Sequence, residues 1–285
     1  ASPLNLAIKF NAGHANWVIT DYMKAYLEKD HDFKYATVVH CDTPSGMLND
    51  VSKLCPLLKK YGILTLVDSV SAMFGEEMRV DDYQIDLLCG GSQKAVSAPP
   101  GLTFVVVSDD AKEKMKNRKT PIASFYANLM AFDGYYEKKW FPYTMPISDI
   151  YGLRAAFNLI AGDKTLYERH ARIGSATRAA VKEAGLKLHL QSGYSNTVTV
   201  FDIPECTDAK SILDEMRTKY NIMLAGSFDE LSGKVIRIGH MGENARLEHM
   251  VPALEALSAT LTDLGVTLQG NLADLFLKHY REFQD

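Results

Sequence analysis

Two charged side chains in the stretch from Leu64 to Gly101 sit where strand packing has no use for them. Ile63, Leu64, Leu66 and Val67 form an apolar run, broken only by Thr65, that predicts a strand buried on both faces and ending in the carboxylate of Asp68. A second run, Leu87, Leu88 and Cys89, leads through Gly90, Gly91, Ser92 and Gln93 to Lys94, so the amine follows a strand on a turn of small residues that lets a ligand come close. Ligands of open α/β sheets bind at the carboxyl edge of the strands, the edge expected to carry both groups. A lysine in such a pocket can form a Schiff base with a carbonyl, and a nearby carboxylate can keep a pyridinium nitrogen protonated so that the ring draws in electrons. That is the chemistry of pyridoxal phosphate. Spacing alone leaves a second reading open, in which Asp68 caps a turn and Lys94 is one of many solvated lysines.

A third candidate lies far along the chain. Arg237, in KVIRIGHMG, has apolar neighbours and no acidic partner nearby in sequence. Its planar guanidinium suits bidentate capture of a carboxylate, although a structural ion pair with a distant Asp or Glu would explain it as well. His240 reads as structural.

The elements that must position these residues follow from periodicity. Trp17–Lys29 has apolar residues at helical spacing, whereas Ala1–Asn16 has little periodicity. Tyr35–His40 predicts a short buried strand, followed by the loop CDTPSGML. A helix over Val51–Tyr61, stopped by Gly62, gives a β-α-β unit and hence parallel strands with a right-handed crossover. Ala98, Pro99, Pro100 and Gly101 form a rigid turn into another buried strand, Leu102–Val107, that reverses the chain behind the lysine loop. Helices are expected over Asp109–Arg118, from a Ser148 cap to Ile160, over Asp163–Ala184, Thr207–Tyr220 and Glu243–Leu264, and over Leu272–Phe283, with strands Thr197–Asp202, Asn221–Leu224 and Lys234–Ile238 between them. The predicted organisation is a large cofactor-binding domain over 1–160 and a smaller α/β domain over 161–285.

The composition is ordinary for a globular chain: 285 residues, 47% hydrophobic, 23% charged, formal charge −4. Without concentrated Lys and Arg, nucleic acid and anionic membrane are not expected partners; a small molecule is. Cys41, Cys55, Cys89 and Cys206 show no CxxC pairing and read as reduced core residues of a cytoplasmic protein rather than as redox or metal ligands. No apolar run of about 20 residues and no signal-peptide pattern is present, and the terminal FQD is not a peroxisomal address.

VDSVSA, GSQKAVSAPPG and RIGHMG, in that order, resemble the class V pyridoxal-phosphate aminotransferases, particularly the alanine–glyoxylate and serine–pyruvate group, and the similarity runs from about Ala36 to the C-terminal region. The resemblance implies an α/β fold of type I, with a mainly parallel central sheet, helices on both faces and a smaller C-terminal α/β domain. It implies pyridoxal 5'-phosphate on Lys94, with Asp68 at the ring nitrogen, Val70 against a ring face, Thr43 beside the ring, Gln93 at the phosphate end and Ser92 as a lesser contributor. Arg237 becomes the clamp for the substrate carboxylate. The aromatic-rich segment from Ser124 to Trp140 then reads as a subunit interface of a homodimer with shared active sites, and FPYTMP places Thr144 at the neighbouring subunit's phosphate. A phosphate-binding tyrosine of some members aligns with Phe141, and Tyr143, two residues on, takes the assignment here.

The implied reaction is ping-pong transamination between alanine or serine and glyoxylate or pyruvate. The loop from His40 to Gly46, HCDTPSG, departs from the family's usual form at Asp42, Pro44 and Ser45 and resembles that of pyridoxamine–pyruvate transaminase, so pyridoxamine is an alternative donor. A same-fold lyase or cysteine desulfurase, which would usually place a histidine where Gln93 stands, and a non-catalytic relative remain as further alternatives. The family's glycine/serine phosphate turn and stacking aromatic have no counterpart before Ala36, so the 1–160 domain is expected to lack the family's N-terminal part.

Overall fold

The computed structural model describes residues 16–283, with side chains from Thr20 onward. Helix α1 (Asn16–Leu27) packs Leu27 into a small cluster with Leu58 and Ile63. Strand β1 (Tyr35–Val39) is followed by a short ribbon, β2 (Cys41–Asp42) against β3 (Met47–Leu48), and by α2 (Val51–Lys60). Gly62, with a positive φ of 75°, ends that helix turn and sends the chain into β4 (Leu64–Asp68). Strands β5 (Leu87–Gly91) and β6 (Thr103–Val107) complete a sheet of order β1-β4-β5-β6. The first two pairings are parallel and the last antiparallel, as the β-α-β reading and the rigid turn require.

Beyond the sheet, α3 (Asp109–Lys116) is capped by Ser108, whose hydroxyl accepts the Ala111 amide at 3.1 Å, with acids in its first turn and lysines in its last. Then come α4 (Ile147–Gly162), α5 (Leu166–Glu183), β7 (Val198–Asp202), α6 (Ala209–Tyr220), β8 (Val235–Gly239), α7 (Leu247–Asp263) and α8 (Leu272–Glu282). Strands β7 and β8 pair antiparallel. Their inner face and the helices around it enclose the largest core, including Ile173, Phe201, Met216, Leu254 and Phe276. Side chains of that size contribute about 1.5–3 kcal/mol each when fully buried. A second cluster, Val51, Cys55, Val67, Ile85 and Leu88, lies against the four-stranded sheet. A third, Cys41, Ala72, Val198, Val200 and Val235, joins the two regions.

Several expectations change. Asn221–Leu224 is not a strand: Asn221 takes the left-handed conformation that terminates α6, and only Ala225 bridges to Arg237. Ser148 does not cap α4, which begins at Ile147. Helix α7 starts at Leu247, because Gly242–Asn244 first makes a 3-10 turn. Strands β1 and β6 are the outer strands and are not buried: Tyr35 is 63% exposed, Val39 44%, and Val105 and Val106 42% each. An apolar run reports the polarity of a strand, not whether a neighbour covers it. Cys206 is exposed rather than in the core, and Cys89 is half-buried. No described helix is long and apolar enough to cross a membrane.

Candidate active site

Parallel pairing aligns the ends of β4 and β5, with Asp68 opposite Cys89 and, on the other side, opposite Val39 of β1. The site therefore forms at one sheet edge. The Asp68 carboxylate accepts the Val70 amide through Oδ1 at 3.0 Å, which turns the chain, and its Oδ2 has no hydrogen-bond partner among the described residues. His40, at the end of β1, donates its backbone N–H to the Asp68 carbonyl at 2.8 Å, and its Nδ1 lies 3.0 Å from the Ser69 hydroxyl. Burial, opposed by Asp50, pushes the His40 pKa down to about 4. The imidazole is neutral at ordinary pH and brings no positive charge to this edge.

Lys94 occupies a turn braced from behind by Ser92. The buried Ser92 hydroxyl donates to the Pro99 carbonyl at 2.6 Å and accepts the Leu102 amide at 3.3 Å, so this serine is committed to the loop. A Cβ on Gly91 would lie 2.7 Å from Gln93 Oε1 and 3.4 Å from Val70 Cγ1, which places Gln93 and Val70 side by side over that glycine. The half-buried Lys94 lines a cleft of about 370 Å³ with Gln93, Gly239, Met241, Glu243 and Asn244. Its amine has no hydrogen bond or ion pair among the described residues. From the other side the turn is held by the chain after β8: Ser97 Oγ accepts the Glu243 amide at 2.9 Å. Gly242, at φ 57°, passes so close that a Cβ there would overlap Ser97 Oγ and Ala95 O.

Arg237 stands in β8 opposite Val200, and cross-strand partners project to the same face. Val200 Cγ2 would be 2.9 Å from a Cβ on Gly46, so the Asp42–Gly46 loop lies over the face that carries the guanidinium. The Arg237 Nε donates to the Gly226 carbonyl at 2.5 Å, and no carboxylate of the described residues pairs with it. Burial lowers its pKa, with the charge of Asp42 opposing. The structural ion pair admitted by the sequence is therefore not made, and the η nitrogens are left for a ligand. On the Asp42–Gly46 loop, Thr43 donates to the Ser71 hydroxyl at 2.7 Å, three residues beyond Asp68.

Tyr143 and Thr144 are not brought to this cleft. The Tyr143 hydroxyl shares its hydrogen between the carbonyls of Phe125 (2.8 Å) and Tyr126 (2.9 Å) within a cluster of aromatic rings, and Thr144 is exposed. Neither makes a hydrogen bond or ring contact to the Lys94 turn. Sequence reasoning missed the roles of Ser69, Ser71, Ser97 and Gly242. Only Gly242, the last residue of RIGHMG, had a signal in its type.

The donor set fits pyridoxal phosphate. An unpaired amine and a carboxylate with a free oxygen share one edge, Gly91 at the end of β5 permits close approach, and a guanidinium without a carboxylate partner among the described residues lies in the strand that leads to the same cleft. The aminotransferase class-V family profile matches residues 3–218. An uncharacterized aminotransferase of Methanocaldococcus jannaschii is 35% identical over 263 residues, covering 91% of this chain and 68% of that protein. A serine–glyoxylate aminotransferase of Arabidopsis thaliana is 35% identical over 264 residues, covering 89% and 65% respectively. The crystal structure of a pyridoxamine–pyruvate aminotransferase from Mesorhizobium loti superposes with a TM-score of 0.87 at 30% identity, over 92% of this chain and 69% of that one. The chain thus spans about two thirds of the length of these relatives.

Proposed function

We propose, from the premise that this chain belongs to the pyridoxal-phosphate-dependent class V aminotransferases, that it moves an amino group between a small amino acid, alanine or serine, and a 2-oxo acid, glyoxylate or pyruvate, by a ping-pong route. The carrying observation is the shared sheet edge, where Lys94 and Asp68 each keep a reactive atom free of intramolecular partners. Bound pyridoxal phosphate supplies an aldehyde and an electron-withdrawing ring. Lys94 Nζ would hold the aldehyde and, as a free amine, would carry a proton to and from the substrate α-carbon. Asp68 Oδ2 would accept a hydrogen bond from the ring nitrogen and favour its protonated form. Arg237 holds the substrate carboxylate through its η nitrogens, since Nε is already spent on Gly226. Gln93 would stand at the phosphate end.

Two copies sharing their sites suit the surface: Phe125, Tyr126, Tyr136, Trp140, Ile147 and Tyr151 are all exposed on one stretch of chain, and aromatic residues are enriched at interfaces. In that assembly Tyr143 and Thr144 serve the neighbour's phosphate.

A second reading takes pyridoxamine as donor and pyruvate as acceptor. The HCDTPSG loop over the Arg237 face supports it, as does the likeness to the Mesorhizobium loti enzyme. Mixing cofactor-loaded protein with alanine, serine or pyridoxamine and following the visible cofactor band tests both. Loss of the band with an amino acid favours the first reading and with pyridoxamine alone the second. A band that no donor alters removes both.

A further inference from the structure

Away from the cleft, a buried carboxylate that transamination does not use is wired to the loop that carries Thr43. Glu76 is 7% exposed. Its Oε1 accepts from the Ser195 hydroxyl at 3.0 Å and, more closely, from the Asn196 amide; its Oε2 accepts from Asn196 Nδ2 at 3.1 Å. Arg178 grips the same two residues from the opposite side, donating to the Ser195 carbonyl at 2.9 Å and to Asn196 Oδ1 at 3.3 Å. Burial pushes the Glu76 carboxyl up and the Arg178 guanidinium down to about 10. Both are desolvated, and each moderates the other's cost.

The network continues toward the site. Ser195 Oγ, whose own hydrogen goes to Glu76, lies 2.8 Å from Thr197 Oγ1, which shares its single hydrogen between Ser195 Oγ and the Ser71 carbonyl at 2.7 Å. Ser71 Oγ in turn accepts the Thr43 hydroxyl at 2.7 Å. Thr197 is pressed against the Ala72–Glu76 turn so closely that a Cβ on Gly75 would overlap its Cγ2. His240 secures the far end, with its Nδ1 2.9 Å from the Asn196 carbonyl. The path from Glu76 to Thr43 thus passes through Ser71 itself, held at its carbonyl by Thr197 and at its hydroxyl by Thr43, and Ser71 and Thr43 stand on the loops that flank Asp68.

We infer that Glu76 is a positioning residue for the cofactor site, acting through Ser195, Thr197 and Ser71 to fix where the Thr43 hydroxyl points. This rests on pyridoxal phosphate occupying the cleft beside Lys94. Buried networks of this kind act as a unit, so removing the far end should disable the near end.

The test is a double-mutant cycle on cofactor affinity in the full chain, read by equilibrium titration of the visible band, with melting temperature recorded for each apo protein. Glu76→Gln and Thr43→Val are each expected to weaken affinity about tenfold. The double variant should lie within about threefold of the weaker single, because Glu76 contributes through Thr43. Multiplied effects, near a hundredfold, or an unchanged affinity in Glu76→Gln, would overturn the inference and leave Glu76 a brace only. If Glu76→Gln does not fold, Thr197→Val replaces it in the cycle with the same two outcomes, since it removes only the hydroxyl that reaches Ser71. Wild-type protein that binds no pyridoxal phosphate would instead remove the functional reading itself, and the inference with it.

Discussion

The hydroxyl of Ser97 accepts the backbone N–H of Glu243 at 2.9 Å, tying the turn that carries Lys94 to the turn that follows the Arg237 strand. Between them Gly242 leaves no room for a side chain and holds a φ of 57°. Gly242→Ala should therefore force the two turns apart. The expected loss is about 1–3 kcal/mol of stability, from overpacking and left-handed backbone strain together. Urea unfolding checks it, and a variant as stable as wild type would mean the turns do not meet this closely.

Lys94→Ala separates chemistry from architecture. The amine has no partner to lose, so stability should stay within about 0.5 kcal/mol of wild type. Amino transfer should fall by a factor on the order of a thousand or more, since both the attachment point and the proton carrier are removed. Retained turnover, or a large drop in melting temperature with normal turnover, would return Lys94 to the role of a surface lysine.

Arg237→Gln distinguishes the two donors. A charged hydrogen bond contributes about 1.5–3 kcal/mol, which corresponds to roughly a tenfold to hundredfold rise in KM for alanine or serine. Pyridoxamine has no carboxylate, so its half-reaction should be nearly unaffected while the return from pyruvate weakens. Equal KM values for alanine in variant and wild type would dismiss Arg237 as the clamp.

His40 makes stability depend on pH. Its folded pKa is about 4, below the 6.5 of an unfolded histidine, because burial penalises the charged ring. A depressed base stabilises the fold above its unfolded pKa, and that contribution is lost as pH falls from about 6.5 toward 4, where only the unfolded chain takes up the proton. Between pH 7.5 and 5.0 the loss from this one residue should be about 2 kcal/mol. Other groups titrate over the same range, so the quantity to measure is the difference in slope between wild type and His40→Gln in urea unfolding. Parallel slopes would mean that the folded imidazole takes up its proton as readily as the unfolded one.

Much of the architecture was legible before any coordinates. The apolar runs at Leu64 and Leu87, each ending in a group that packing does not need, mark the strands β4 and β5, and the β-α-β reading marks the parallel pairing of β1 with β4. Arg237 was legible for the same reason. What the sequence concealed depends on contacts between segments far apart in the chain. Ser92 and Ser97 are both polar residues of one loop, yet one is consumed within it and the other reaches Glu243. Glu76 stands beside Glu77 with nothing in its type to set it apart, and its role comes from Asn196, which hydrogen-bonds both of its oxygens. Asn221–Leu224 has strand composition, but Asn221 is spent on ending α6 and only Ala225, the next residue, reaches the edge of β8, and exposure at Tyr35 and Val106 follows from position in the sheet, which local polarity does not encode.

Ser92 anchors the lysine turn on one side and the Gly242 turn clamps it on the other, so the peptide itself is a fixed mount. All of the travel that an amine needs to leave one carbon and reach another must come from its own flexible aliphatic stem. The molecule thus pairs a rigid shoulder with a free arm, and the length of that arm sets how far the reacting atoms can stand apart.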